Sequence, residues 1–153
     1  MPRKHWGELS DDDRKRLIEA YVSLSPFPDV APGMEAMKEA GHALVAFSNG
    51  VEATVRELLE RAGILPLLDG VVSVDDLSSF KPDPEVYHYL CRQLGRPPSG
   101  VWLVSSNPFD AIGAKSIGLN VAWVRRRSGI AFDPWGIEPD LIVPDLRALA
   151  SKL

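Results

Sequence analysis

The sequence predicts an α/β domain built on a parallel sheet with helices on both faces. Short, continuously apolar runs alternate along the chain with segments of helical periodicity. The runs lack the polar alternation of a half-solvated strand, as expected where strands are covered on both sides. Most of the runs hand over to a helix through a polar turn carrying a capping residue, which is how strand-to-helix units join.

Taken in order, residues 1–9 are polar and irregular, and Trp6 has no evident partner. Ser10 is placed to start a helix, with Asp13 positioned as in a capping box and further acids in the first turn. Leu17, Ile18, Tyr21, Val22 and Leu24 form one apolar stripe on it, and Pro26 and Pro28 end it. Pro32 is read as the opening of a second helix that runs to about Ala40, with Gly41 as its stop. Ala43-Leu44-Val45-Ala46-Phe47 reads as a buried strand, ended by Ser48-Asn49-Gly50. The next helix turns Val51, Val55, Leu58, Leu59 and Ala62 inward and closes at Gly63. Val71-Val72-Ser73-Val74 is a short strand. Asp83 and Pro84 then cap a helix carrying Val86, Tyr89, Leu90 and Leu94, stopped by Gly95. Val101-Trp102-Leu103-Val104 is another apolar strand, breaking at Ser105-Ser106-Asn107. Pro108 stands at a first helical position with Asn107 as N-cap, and Gly118 closes that helix in a left-handed cap. Val121-Ala122-Trp123-Val124, Leu141-Ile142-Val143 and a short helix from about Asp145 complete the pattern.

A chain of 153 residues with 45% apolar content can bury one sizeable core. Its net charge of -4 supplies no long-range attraction for nucleic acid or anionic lipid. Arg125-Arg126-Arg127 is too short to change that and reads as a solvated loop. The single cysteine, Cys91, excludes an internal disulfide, and its helical setting suits a buried thiol better than a nucleophile. No apolar run is long enough to span a membrane and no signal-peptide pattern opens the chain, so a cytoplasmic location is the expectation.

Three polar clusters are expected at the carboxyl ends of the strands, where open parallel sheets bind ligands. Ser48-Asn49-Gly50 precedes a helix whose free N–H groups suit a carboxylate or phosphate; a plain capped turn is the other reading. In Lys81-Pro82-Asp83-Pro84, Pro82 is expected to hold Lys81 extended. The ammonium could then keep a nearby carboxylate ionised or bind a substrate anion, the alternative being an exposed lysine before a capped helix. Tyr87 belongs to the following helix; core packing is the simpler account of its ring, with its hydroxyl in reach of the site. The third cluster, Ser105-Ser106-Asn107-Pro108-Phe109-Asp110, gathers two hydroxyls, an amide and a carboxylate. In this order, each after its own strand, the three are far more specific than any one alone.

That ordered set resembles the haloacid dehalogenase superfamily, and within it the (S)-2-haloacid dehalogenases, from about Leu17 to the C-terminus. Ser48-Asn49-Gly50 resembles the family's second motif, Lys81-Pro82-Asp83 its third and the segment 105–110 its fourth. The resemblance implies displacement of halide from C2 of a small 2-haloacid by a carboxylate, with hydrolysis of the resulting ester. Ser48 and Asn49 would hold the substrate carboxylate and Phe109 would pack on its apolar part. Lys81 would keep the nucleophile ionised. Ser105, Asn107 and Tyr87 would position groups around the ester, and Asp110 would activate water. Relatives that hydrolyse phosphate esters carry Gly-Asp where this chain has Ser105-Ser106, and the acid helps bind Mg²⁺. A hard dication wants anionic oxygen, so metal-free displacement at carbon, with no cofactor, fits better than phosphoryl transfer.

The superfamily's first motif, Asp-x-x-x-Thr or Asp-x-x-x-Val after a first strand, has no counterpart here. The resemblance implies a chain that starts inside the cap: residues 1–25 its last helix, 26–153 the α/β core. The first, central strand, the nucleophile and most of the lid would be lacking, and the chain inactive as it stands. A non-catalytic anion-binding remnant or a phosphatase are the rival functions. Two strand edges would then face each other, leaving a weakly stable monomer, a directly paired sheet, or a homodimer with swapped elements.

Overall fold

The computed structural model describes residues 9–133 and 135–153; Trp6 lies outside them. Helix α1 (Asp11–Val22) is N-capped by Ser10, whose hydroxyl oxygen accepts from the Asp13 N–H and whose proton goes to the Asp13 carboxylate. Its apolar residues Leu17, Ile18 and Tyr21 are exposed, as is Leu24 beyond it. Helix α2 (Val30–Glu39) begins before Pro32, which occupies the first turn instead of opening the helix. The first-turn N–H groups have no intrahelical partner, so proline costs nothing there.

Strand β1 (Val45–Ser48) pairs in parallel with β2 (Gly70–Ser73), and helix α3 (Glu52–Arg61) connects them. Val55, Leu58, Leu59 and Ala62 of this segment are half-buried, but Val51 is exposed, because the helix starts only after it. Helix α4 (Pro84–Leu94) leads to β3 (Trp102–Ser105), α5 (Pro108–Ser116), β4 (Asn120–Val124), β5 (Leu141–Val143) and α6 (Leu146–Ala150). Strands β3, β4 and β5 form a second parallel sheet in that order.

Among the described residues, the two sheets do not hydrogen-bond to each other and β1 and β3 each have an edge without a strand partner, so direct pairing is not what closes the fold. Helices and loops join them. On one face, Val74 and Tyr87 pack with Leu103, Ala111 and Val121; on the other, Met34 and Met37 pack with Ala122, Val124 and Leu149. Strand β4 is thus covered on both faces, as a parallel strand should be. Strand β3 is not: Trp102 and Val104 are 37% and 38% exposed while Leu103 between them is buried. No helix of the described residues is long and apolar enough to cross a membrane.

Candidate active site

The site lies at the carboxyl ends of β1 and β3. Lys81, in the segment leading to α4, sends its ammonium back across the end of β1. There it donates to the Phe47 carbonyl at 3.0 Å and to Asp110 Oδ2 at 3.1 Å, 4.0 Å from the centre of the Phe47 ring. The side chain is only 10% exposed. Burial pulls its pKa below the ordinary lysine value, opposed by the charge and hydrogen bond of Asp110. The exposed-lysine reading is therefore wrong. The Lys81–Pro82 peptide is cis.

Asp110 stands in the first turn of α5, where the helix dipole favours an anion. Its Oδ1 accepts the Tyr87 hydroxyl at 2.8 Å, and the same hydroxyl lies 3.2 Å from the Asp110 carbonyl oxygen. Tyr87 is fully buried, its ring edge-on to Phe47 at 5.8 Å. Burial, then the Asp110 charge, push the phenol far above its usual range. Tyr87 both packs in the core and reaches the site. Gly113 makes this possible, because a Cβ there would come within 2.7 Å of the Tyr87 ring and hydroxyl.

The loops face the same space with donors to spare. Ser48 Oγ accepts the Gly50 N–H at 3.0 Å, leaving its own proton free to point elsewhere. Asn49 Oδ1 accepts the Lys81 N–H at 2.9 Å, so its side-chain N–H₂ remains available. Ser105 Oγ accepts the Asn107 N–H at 3.1 Å. Asn107 occupies the N-cap position of α5 without a side-chain capping bond, contrary to its expected role as a cap. Phe109 is exposed. An open cleft of about 1000 Å³ runs along the facing edges of β1 and β3, from Gly41 and Gly100 upward. At the strand ends its lining includes Ser48, Asn49, Lys81, Ser105, Asn107, Phe109 and Asp110; Tyr87 stands behind Asp110. An ammonium with hydroxyl and amide donors around it, in a cleft with apolar walls, suits a small organic anion.

Sequence reasoning missed three contributors. The Phe47 carbonyl and ring locate the ammonium; the signal was that Phe47 directly precedes Ser48. Gly113 carries no motif. Arg126, read as part of a solvated loop, is instead half-buried and lines the cleft. It grips Asp29 through Nη1 at 2.6 Å and Nη2 at 3.1 Å, and Asp29 also accepts the Leu146 N–H at 2.9 Å. The Arg126 hydrogen bonds hold the Asp29 pKa down to about 2. The partner lies far away in sequence, so no local pattern announces the pair.

A family model described as haloacid dehalogenase-like hydrolase matches residues 4–118. The chain is 36% identical over 142 residues to haloacetate dehalogenase H-2 of Moraxella sp. (strain B), covering 93% of this chain and 63% of that protein. It is 33% identical over 150 residues to an (S)-2-haloacid dehalogenase of Pseudomonas putida, covering 97% and 66%. The chain thus spans slightly less than two thirds of the length of these relatives. Among solved structures, the L-2-haloacid dehalogenase of Xanthobacter autotrophicus with chloropropionic acid covalently bound superposes with a TM-score of 0.87 at 30% identity, over 95% of this chain and 67% of that one. A HAD phosphatase from Thermococcus onnurineus superposes with a TM-score of 0.76 at 26% identity, over 95% and 65%.

Proposed function

Because the chain belongs to the haloacid dehalogenase-like hydrolase family, we propose that it forms the core of a hydrolase that cleaves the carbon–halogen bond of a small 2-haloacid. In the proposed reaction, an aspartate oxygen attacks C2 and halide leaves with the bonding pair, giving an aspartyl ester. Water then adds to the ester carbonyl carbon. The acyl–oxygen bond breaks and the carboxylate is regenerated; one water proton ends on the product hydroxyl and the other is released. The observation that carries this reading is the buried Lys81 ammonium, held between Phe47 and Asp110, with the Ser48–Asn49 and Ser105–Asn107 loops facing one cleft.

The substrate carboxylate would lie on the Ser48 hydroxyl and the Asn49 amide, with Phe109 against its apolar part. Lys81 would hold the nucleophile ionised. Asp110 already accepts from Lys81 and Tyr87 and has lone pairs left for one water, which suits it to orient and deprotonate that water. Ser105 and Asn107 would position the ester. Residues 26–153 form the core in this reading, and 1–25 the last helix of a lid.

Among the described residues, the carboxylate bonded to Lys81 is Asp110, which is itself held by Tyr87. We therefore infer that the nucleophile is not among the described residues, and that this chain alone does not turn over. A non-catalytic anion binder shares that prediction and differs once an Asp-bearing first strand is fused ahead of the chain. The fused protein should release halide from (S)-2-chloropropionate, and Lys81→Ala should lower its kcat by about 10²–10³-fold with the fold intact. No halide from the fused protein would refute the dehalogenase reading. Mg²⁺-dependent release of phosphate from a generic ester would favour the phosphatase, to which the Thermococcus onnurineus similarity points. Against it stands the Ser105-Ser106 pair, which offers no anionic oxygen.

A further inference from the structure

The two loops that frame the cleft are gripped from outside in the same way. Ser48 lies in register with Ser73 of β2. The Ser73 hydroxyl donates to the Gly50 carbonyl at 2.8 Å and accepts the Asp75 N–H at 3.1 Å. In the other half, Ser105 lies in register with Trp123 of β4, whose indole N–H donates to the Ser106 carbonyl at 3.1 Å. The Trp123 ring is also pinned edge-on by Phe132, with centroids 5.0 Å apart. Both donors are buried, Ser73 at 7% and Trp123 at 1% exposure, and neither lines the cleft.

A chain leaving a parallel strand carries carbonyls that the ladder no longer satisfies, and a buried donor on the neighbouring strand determines where such a carbonyl points. We propose that Ser73 and Trp123 are positioning residues, one for each wall of the cleft. Ser73 orients Gly50 and so Asn49, whose side chain in turn receives the Lys81 N–H. Trp123 orients Ser106 between Ser105 and Asn107. Among the described residues no backbone ladder joins the two sheets, so each wall has its own anchor, and the Lys81–Asp110 pair links the walls without involving either anchor. The significance of these walls for catalysis rests on the haloacid reading above; their anchoring is tested without it.

Amide hydrogen exchange on this chain provides that test. The Lys81 N–H reports the first loop and the Asn107 N–H the second. Ser73→Ala should speed exchange at Lys81 about three- to tenfold, the effect of one lost buried hydrogen bond, and leave Asn107 unchanged. Ser73→Thr keeps the hydroxyl and should restore protection. Trp123→Phe keeps a ring but loses the N–H, and should give the reverse pattern. Equal acceleration at both reporters and at the core amide of Val121 would mean general destabilisation and overturn the proposal, as would no change at either reporter. The expected exchange pattern here, together with no halide release from (S)-2-chloropropionate by the protein carrying the fused Asp-bearing strand, would sink the haloacid reading and leave both anchors standing.

Discussion

Removing the Tyr87 hydroxyl would leave one oxygen of a buried carboxylate without the phenol that donates to it. Tyr87→Phe keeps the ring against Phe47 but strands Asp110 Oδ1, so a loss of about 1–3 kcal/mol is expected, read from the urea midpoint at pH 7. An unchanged midpoint would mean that water replaces the phenol at no cost. Asp29 makes a prediction with a definite sign. Its carboxyl is depressed from 3.8 to about 2 by Arg126, so the folded state binds this proton less readily than the unfolded one. The stability it confers is complete above about pH 4 and fades as pH falls toward 2; it amounts to about 1–2 kcal/mol. Asp29→Asn should lower stability at pH 7 and flatten the curve of stability against pH across that window. Lys81, Tyr87 and Asp110 could be proposed from their types and spacing, whereas the Asp29–Arg126 pair could not, since its members meet only through the fold.

The helices differ in how firmly they are fixed. Helices α2 and α6 approach so closely that a Cβ on Gly33 would fall 2.6 Å from Leu146 Cβ and 2.8 Å from its carbonyl carbon. Backbone cannot yield as a side-chain tip can, so Gly33→Ala should cost about 1–3 kcal/mol by overpacking, visible as a lower thermal midpoint. Since α2 and α6 jointly cover one face of β4, that loss should be felt in the core. Helix α1 is the opposite case. Its cap and periodicity were readable, and its helix forms at the expected place. Yet Leu17, Ile18, Tyr21 and Leu24 of its apolar stripe are exposed, because periodicity says which residues share a face and nothing about what will cover it.

At the scale of the molecule, the break between β1 and β3 dominates. Among the described residues, neither strand has a pairing partner along this edge, and Trp102 and Val104 add exposed apolar surface beside it. Free edges of this kind recruit further strands. The chain alone is expected to self-associate as its concentration rises, a homodimer being the first step, with sedimentation velocity as the measure. A concentration-independent monomer that unfolds cooperatively with an ordinary denaturant slope would show that the helices bridging the halves suffice.

The sequence by itself determined the alternation of strands and helices, the caps at Ser10 and Asp83, the start of a last helix near Asp145, and the set of polar residues at the strand ends. These follow from local chemistry: side-chain period, capping groups, and the turn residues that end a strand. Tertiary structure alone decided that the strands form two sheets, that Arg126 turns inward to Asp29, and that Ser73 and Trp123 hold the walls of the cleft. It also decided that Lys81 is buried on Phe47 and Asp110 rather than solvated. Each of these depends on groups distant along the chain being brought within a few ångströms, and no pattern in neighbouring residues encodes such distances.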